Sequence, residues 1–186
     1  MTTVVLLEGR SDVAAVAAVA GAHGLAATGY RLVDMGGVTG IRRSLAALRA
    51  EAGPVRVLGM CDAGEVSVVV RALSDEGVRD EADLAGHGFT VCRADLEEEL
   101  IRALGPERVL GVLDRLGLSV RLAVLQNQPA WRGRPLTDQL HRFAGTTAGR
   151  KELLAGALAA ELTPDEVPAP LRDLVTWMAD DRVAPA

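Results

Sequence analysis

Four short apolar runs, each closing near glycine or acid and each leading into a helix-patterned stretch, restrict this chain more than any other feature of it. Val4–Leu7 ends at Glu8-Gly9 and reads as a buried strand running into a turn. Ser11 can cap the helix that follows, Asp12–His23, which is rich in alanine and valine and closes at Gly24. Tyr30–Met35 reads as a second strand and ends in Gly36-Gly37. Ile41–Ala52 sets Ile41, Leu45 and Leu48 on one helical face and stops at Gly53-Pro54. Val55–Met60 is a third strand, ending at Cys61-Asp62-Ala63-Gly64-Glu65, and Val66–Leu73 continues as helix despite its valines. Phe89–Cys92 is a fourth strand. Asp95-Leu96-Glu97-Glu98-Glu99-Leu100 then opens a helix that runs to Leu104-Gly105-Pro106. Such βα alternation implies a parallel sheet with helices on both faces.

The pattern changes after Gly105. Glu107–Leu116, Leu136–Phe143, Arg150–Leu162 and Leu171–Met178 have helical spacing, and Asn127–Pro135 reads as a loop. Leu118–Leu125 fits a strand and a helix equally well, because a short apolar run does not separate the two. The expected organisation is an α/β core over residues 1–105 and a helical extension over residues 106–186.

In a parallel α/β sheet, ligands bind at the carboxyl ends of the strands. Acids fall at three of the four inferred ends. Glu8 ends the first strand, with Asp12 one turn into the next helix. Asp62 ends the third, with Glu65 just after, and Asp95 and Glu97 follow the fourth. Carboxylates gathered at one patch repel one another unless a cation sits among them. A set of oxygen ligands suits Mg²⁺ or Mn²⁺. The plainer reading makes Asp12 a helix-start charge and Glu97–Glu99 a solvated helix face. Glu8 and Asp62 resist that reading, because a carboxylate directly after a buried run rarely lies on an idle surface.

Composition narrows the partners. The 186 residues, 49% of them hydrophobic, suit one domain with a sizeable core or one domain with a subdomain. No apolar run reaches the ~18–20 residues of a membrane span. A chain that enters a strand at once, without a basic leader, is expected to be cytoplasmic. Cys61 and Cys92 stand outside any C-x-x-C pair and are expected to be buried thiols. The formal net charge of -5 argues against wrapping nucleic acid on a basic face. The charge is uneven, however: between Gly117 and Lys151 the sole acid is Asp138, against Arg121, Arg132, Arg134, Arg142, Arg150 and Lys151. Lys151 is the only lysine in the chain, which marks either a position where a guanidinium fork does not serve or an accident of a chain biased toward arginine. His23, His87 and His141 flank no acid cluster in sequence, and surface or core roles are expected for them. Aromatics are scarce, which argues against a base-stacking platform of the single-strand-binding kind; Trp131 and Trp177 read as packing residues, although Trp131, among arginines, is placed to touch a base.

Val4-Val-Leu-Leu-Glu8-Gly-Arg-Ser-Asp12 resembles the opening motif of Toprim domains, found in topoisomerases, primases and the OLD-family nucleases. Gly59-Met-Cys-Asp62-Ala-Gly-Glu65 resembles the Toprim aspartate motif. Phe89-Thr-Val-Cys-Arg-Ala-Asp95-Leu-Glu97 is similar to the third acidic element of the OLD branch. Asn127–Arg134 and Phe143–Lys151 resemble short stand-alone Toprim proteins of a nucleotidyl transferase/hydrolase type. The resemblance implies that Glu8, Asp12 and Asp62 hold one metal ion and that Glu97, with Asp95, helps to hold a second. It implies that Lys151 steadies the transition state. The sequence departs from the family at Gly64, where Toprim domains usually carry a second aspartate; Glu65 stands one residue further on. OLD nucleases commonly carry an ATPase, and the phosphate loop Gly-x-x-x-x-Gly-Lys-[Ser/Thr] is missing here, so any ATPase that works with this chain is expected in trans.

The leading expectation is Mg²⁺- or Mn²⁺-dependent phosphodiester chemistry on nucleic acid, DNA before RNA, as nuclease or nucleotidyl transferase. Two metals about 3.5–4 Å apart activate a nucleophile and stabilise the leaving oxygen. Glu8 serves as ligand or base, and Lys151, Arg132, Arg134 and Arg150 bind phosphates. The alternative is a non-catalytic Toprim-derived module that binds nucleic acid or a separate ATPase; Gly64 and the net acidity favour it. A phosphoacceptor signalling domain also places acids after its strands, but wants adjacent acids after the first strand and a much shorter chain.

Overall fold

The computed structural model describes residues 1–180. Strands β1 (Thr2–Leu7), β2 (Tyr30–Asp34), β3 (Val55–Asp62) and β4 (Phe89–Cys92) form one parallel sheet in the order β2-β1-β3-β4. Helices α1 (Arg10–Ala22), α2 (Ile41–Arg49) and α3 (Val66–Ala72) alternate with the strands, with a short α4 (Glu81–Leu84) before β4. The fold is a parallel α/β sheet flanked by helices, as the alternation of apolar runs implies, and it is Toprim-like, as the motif resemblance implies.

β1 lies inside the sheet, and both of its faces are covered. Val5 and Leu7 point into one apolar cluster and Val4 and Leu6 into another, as the two-residue period of a strand requires. This explains why β1 reads as a continuous apolar run and not as an alternating one. The second cluster packs α2 and α3 against the sheet through Ile41, Leu45 and Val69. The first contains α1 and everything after β4: α5 (Leu96–Arg115), α6 (Ser119–Gln126), α7 (Leu136–Gly145), α8 (Ala148–Ala160) and α9 (Ala169–Ala179). One continuous apolar cluster therefore spans both sides of Gly105.

Three details differ from the sequence reading or resolve it. The stretch 118–125 is helix from Ser119 onward, with Leu118 at its cap; Leu118, Leu122 and Leu125 are buried and Val120 and Val124 exposed. That is a helical spacing, which the valines disguise. α5 is broken at Gly105, whose φ of 75° and ψ of 156° lie outside the helix, and Pro106 restarts it, so two helical pieces share one span. The short α4, capped by Asp80 Oδ1 accepting from Ala82 N (2.9 Å), escapes a reading based on periodicity.

The most extensive helix contact is between α1 and α8. Both faces are built of small residues, and a Cβ on Gly156 would stand only 3.3 Å from the Cβ of Ala14. The alanines of α1 thus let α8 lie close, and that proximity brings the beginnings of the two helices together. Arg10 and Glu152 join them by an ion pair at 3.0 Å.

Candidate active site

The chain runs from β1 outward to β2 and then back across to β3, so the crevice between β1 and β3 is the topological switch point where ligands settle. Glu8 leaves β1 at that crevice and Asp62 is the last residue of β3. Asp62 is paired with Cys92, the last residue of β4, and the third acidic segment begins just beyond. The backbone of Glu8 is held from the other side: Gly37 N donates to Glu8 O (2.8 Å), and Met35 N to Leu7 O (2.9 Å). Gly36 and Gly37 adopt φ of 69° and 106° to make that turn, a region that favours glycine.

Burial and mutual repulsion dominate the electrostatics. Asp62 is pushed up from an ordinary 3.8 to about 7, by burial first and then by the charges of Asp12, Glu8, Asp95 and Glu97. Glu65 is pushed up to about 8, by burial first and then by the neighbouring carboxylates of Glu8, Asp62 and Asp12. Burial also raises Asp12, against the opposing pull of the Gly9 N–H and Lys151. One Asp12 oxygen, Oδ2, accepts from Gly9 N at 2.8 Å. Asp12 is therefore a helix cap and a member of the acid cluster together.

Glu97 and Glu99 are each 2% exposed, which overturns the reading of Glu97–Glu99 as a solvated face. Their roles diverge. Glu99 accepts from Arg93 N (3.0 Å) and pairs with Arg102, so it is fully engaged in structure. Glu97 faces the cluster. Its Oε2 lies 3.3 Å from Lys151 Nζ, and its Oε1 is buried without a hydrogen-bond partner. Burial raises the Glu97 pKa in spite of Lys151. Burial pulls Lys151 down, but Glu97, Asp12 and Asp62 outweigh it and leave the ammonium above its ordinary value.

Asp95 caps α5, with Oδ1 accepting from Glu98 N (2.8 Å), and its Oδ2 accepts from His141 Nε2 (2.7 Å). His141 thus stands beside the acids, contrary to the expectation from its isolated place in the sequence. The chain carries no local signal for this, because the contact spans 46 residues. Cys61 and Cys92 are buried free thiols, as expected; burial first, then nearby carboxylates, push Cys61 up to about 12.

Two cavities meet at Lys151. One, about 220 Å³, is lined by Glu8, Asp12 and the starts of α1 and α8. The other, about 510 Å³, is lined by Asp95, Glu97, Trp131, Arg134, His141 and Arg142, among others. Lys151 lines both. The N-terminal ends of α1, α5 and α8 open on these spaces, and their partial positive charge favours anions. Of the cations expected to hold phosphate, Arg134 and Lys151 line the larger cavity. Arg132 donates to Asn127 O (3.0 Å) and Arg150 lies over the Phe143 ring at 4.1 Å; neither lines it.

The donor set fits a hard divalent cation in kind: all candidate ligands are carboxylates, and Glu65 Oε2 and Glu97 Oε1 are buried with no donor facing them. Among the described residues, no three acidic, histidine or cysteine side chains close around one point as a formed metal site would. Gly64 is exposed in the 3-10 turn Ala63–Glu65, with nothing within 4 Å of a Cβ placed there. The missing second aspartate therefore does not reflect lack of space.

The class that fold and site define is an α/β domain of Toprim-like fold with an acidic switch-point crevice. More particularly, the chain has the fold of the C-terminal region of OLD proteins. The C-terminal region of the Burkholderia pseudomallei OLD protein superposes with a TM-score of 0.64 at 20% identity, over 95% of this chain and 96% of that one. The C-terminal region of the Xanthomonas campestris pv. campestris OLD protein gives 0.67 at 22% identity, over 95% and 91%. No family sequence profile matches the chain, and no curated protein matches it. No helix among the described residues is long and apolar enough to cross a membrane.

Proposed function

We propose that this chain is an OLD-type Toprim domain that carries out divalent-metal-dependent cleavage or transfer at phosphodiester bonds of nucleic acid, DNA before RNA. The observation that carries this reading is the Lys151–Glu97 contact. It sets one ammonium on the wall between the strand-end acids and a groove of mixed charge, lined by Arg134, Arg142 and His141 and also by Asp95, Glu97 and Asp138. Glu8, Asp12, Asp62 and Glu65 would hold one ion and Glu97, with Asp95, a second. Mg²⁺ or Mn²⁺ bound there supplies Lewis-acid stabilisation of phosphate oxygens.

The residues themselves divide the remaining work. The groove accepts the phosphate chain through Arg134 and Arg142. Lys151 keeps its proton, held by Glu97, and presents a compact positive charge where negative charge gathers on the phosphoryl oxygens; only stabilisation greater in the transition state than in the ground state accelerates the reaction. Glu8, beside Glu65, acts as ligand or as the base that takes a proton from the attacking group. An ATPase in trans belongs to the same proposal, as does a cytoplasmic location.

The second reading, a non-catalytic Toprim-derived binding module, has one observation in its favour: the acids do not close into a formed ion site. A cleavage assay on plasmid, linear duplex and single-stranded DNA with Mg²⁺ or Mn²⁺ separates the two. The proposal expects activity that EDTA and Glu8→Gln each abolish. Inactivity on all three substrates with saturable DNA binding supports the binding module, and activity that survives Glu8→Gln removes the site assignment.

A further inference from the structure

The larger cavity holds a feature that phosphate binding does not use. The chain has only five aromatic side chains other than histidine, and Trp131 is the one that lines this groove. It is half-buried, resting on the apolar core while lining the groove that leads to Glu97 and Lys151. Its position is fixed from behind. Gln139, only 7% exposed, donates from Nε2 to Trp131 O (2.9 Å), and Gln126 Nε2 donates to Gln139 Oε1 (2.8 Å). Two guanidiniums lie against the ring, Arg134 at 5.5 Å and Arg142 at 5.9 Å from its centroid. Arg134 is tethered, donating from Nε to Ala130 O (3.1 Å). Arg142 is exposed and its side chain has no polar partner among the described residues.

An indole whose own backbone carbonyl is anchored by Gln139, beside guanidiniums and in the groove that Lys151 also lines, matches the chemistry of an unstacked nucleobase and its flanking phosphates. Bases stack on aromatic faces and on guanidinium planes alike. A paired base inside a duplex has both faces covered by its neighbours, so an indole in a groove of about 510 Å³ meets a base only where the strand is unpaired. Building on the reading above, we propose that Trp131, with Arg134 and Arg142, stacks one unpaired nucleobase next to the phosphate held at the acid cluster. The domain then engages single-stranded or frayed nucleic acid in preference to intact duplex.

Trp177 lies in a separate cavity beside β4, with Phe89 and Pro170, so Trp177→Phe leaves Trp131 as the sole tryptophan reporter. In that background, an end-labelled oligo-dT and a duplex of equal length are titrated in Ca²⁺ buffer. Anisotropy reads binding, and tryptophan emission reads stacking. The proposal expects saturable quenching by the single strand that follows the anisotropy curve, and little quenching by the duplex. Trp131→Ala should weaken single-strand binding about 5- to 150-fold, the range for losing one base stack, and leave duplex binding nearly unchanged. Trp131→Phe should keep most of the affinity. Should the alanine variant unfold, the test stands on the affinity of Trp131→Phe and on quenching read in the protein that keeps Trp131. Binding without quenching, with Trp131→Phe or Trp131→Ala weakening single strand and duplex alike, overturns the stacking site and leaves the proposed function standing. Absence of binding to either nucleic acid overturns both.

Discussion

Metal binding to this site should displace protons, and the number is set by the two largest shifts in the cluster. Asp62 stands at about 7 and Glu65 at about 8. A carboxyl must ionise to take a metal, so its bound proton is released. With these two values, Mn²⁺ binding releases roughly two protons at pH 6 and a little over half of one at pH 8, and apparent affinity climbs ~500-fold between those pH values. Ordinary values of 3.8 and 4.5 would give almost no proton release and an essentially flat affinity over the same range. Calorimetry at each pH in buffers of different ionisation enthalpy counts the protons directly. Asp62→Asn should remove about one of them at pH 6. The same shifts fix the sign of the stability change without metal. A carboxyl whose folded value lies above its unfolded one stabilises the fold while protonated. That contribution is complete below the unfolded value and is lost as pH rises through about 7 for Asp62 and about 8 for Glu65. The metal-free protein should therefore melt lower at pH 8 than at pH 5.5, and Mn²⁺ should raise Tm more at pH 8. Mn²⁺ binding that releases no protons at pH 6, with affinity unchanged to pH 8, would refute the argument that these carboxyls are held protonated in one cluster.

Three further outcomes test how the site is built. Lys151→Ala should slow cleavage about 10²–10³-fold, and Lys151→Arg should also lose rate, because a planar fork does not replace a point charge beside a buried Glu97; wild-type turnover by Lys151→Arg in single-turnover kinetics would make the lysine an ordinary cation. Gly59→Ala should destabilise the fold by about 1–3 kcal/mol in urea titration, because its Cβ would lie 2.3 Å from Phe89 Cε1 across the β3–β4 pair; Phe89→Leu should recover part of that loss. Gly156→Val should push α8 away from Ala14 and carry Lys151 with it, and a displacement near 1 Å lowers the cleavage rate by about 10²-fold; a folded variant with full activity would show that close helix approach does not position the lysine.

What the sequence determined by itself is local. Run length, spacing and the glycine and proline breaks separated strand from helix through the α/β core, but left 118–125 open, where a short apolar run fits either. The continuous run Val4–Leu7 marked a strand buried on both faces. Glu8, Asp62 and Asp95 were legible as strand-end acids because parallel strands deliver their carboxyl ends to one edge. Lys151 stood out by being alone. Only the tertiary structure decided which of these side chains meet. Glu97 and Glu99 are two residues apart in one helix, yet one faces Lys151 and the other is consumed by Arg93 and Arg102. His141 reaches Asp95 across 46 positions, and Arg56, silent in the strand pattern, is 3% exposed and donates to Trp177 O at 2.8 Å, at the end of α9. Arg134 and Arg142 turn toward Trp131, whereas Arg150 turns to Phe143. Periodicity records which face of an element is apolar. It does not record which residue of another element that face will meet, because that is settled by how closely the elements pack, here by Ala14 against Gly156.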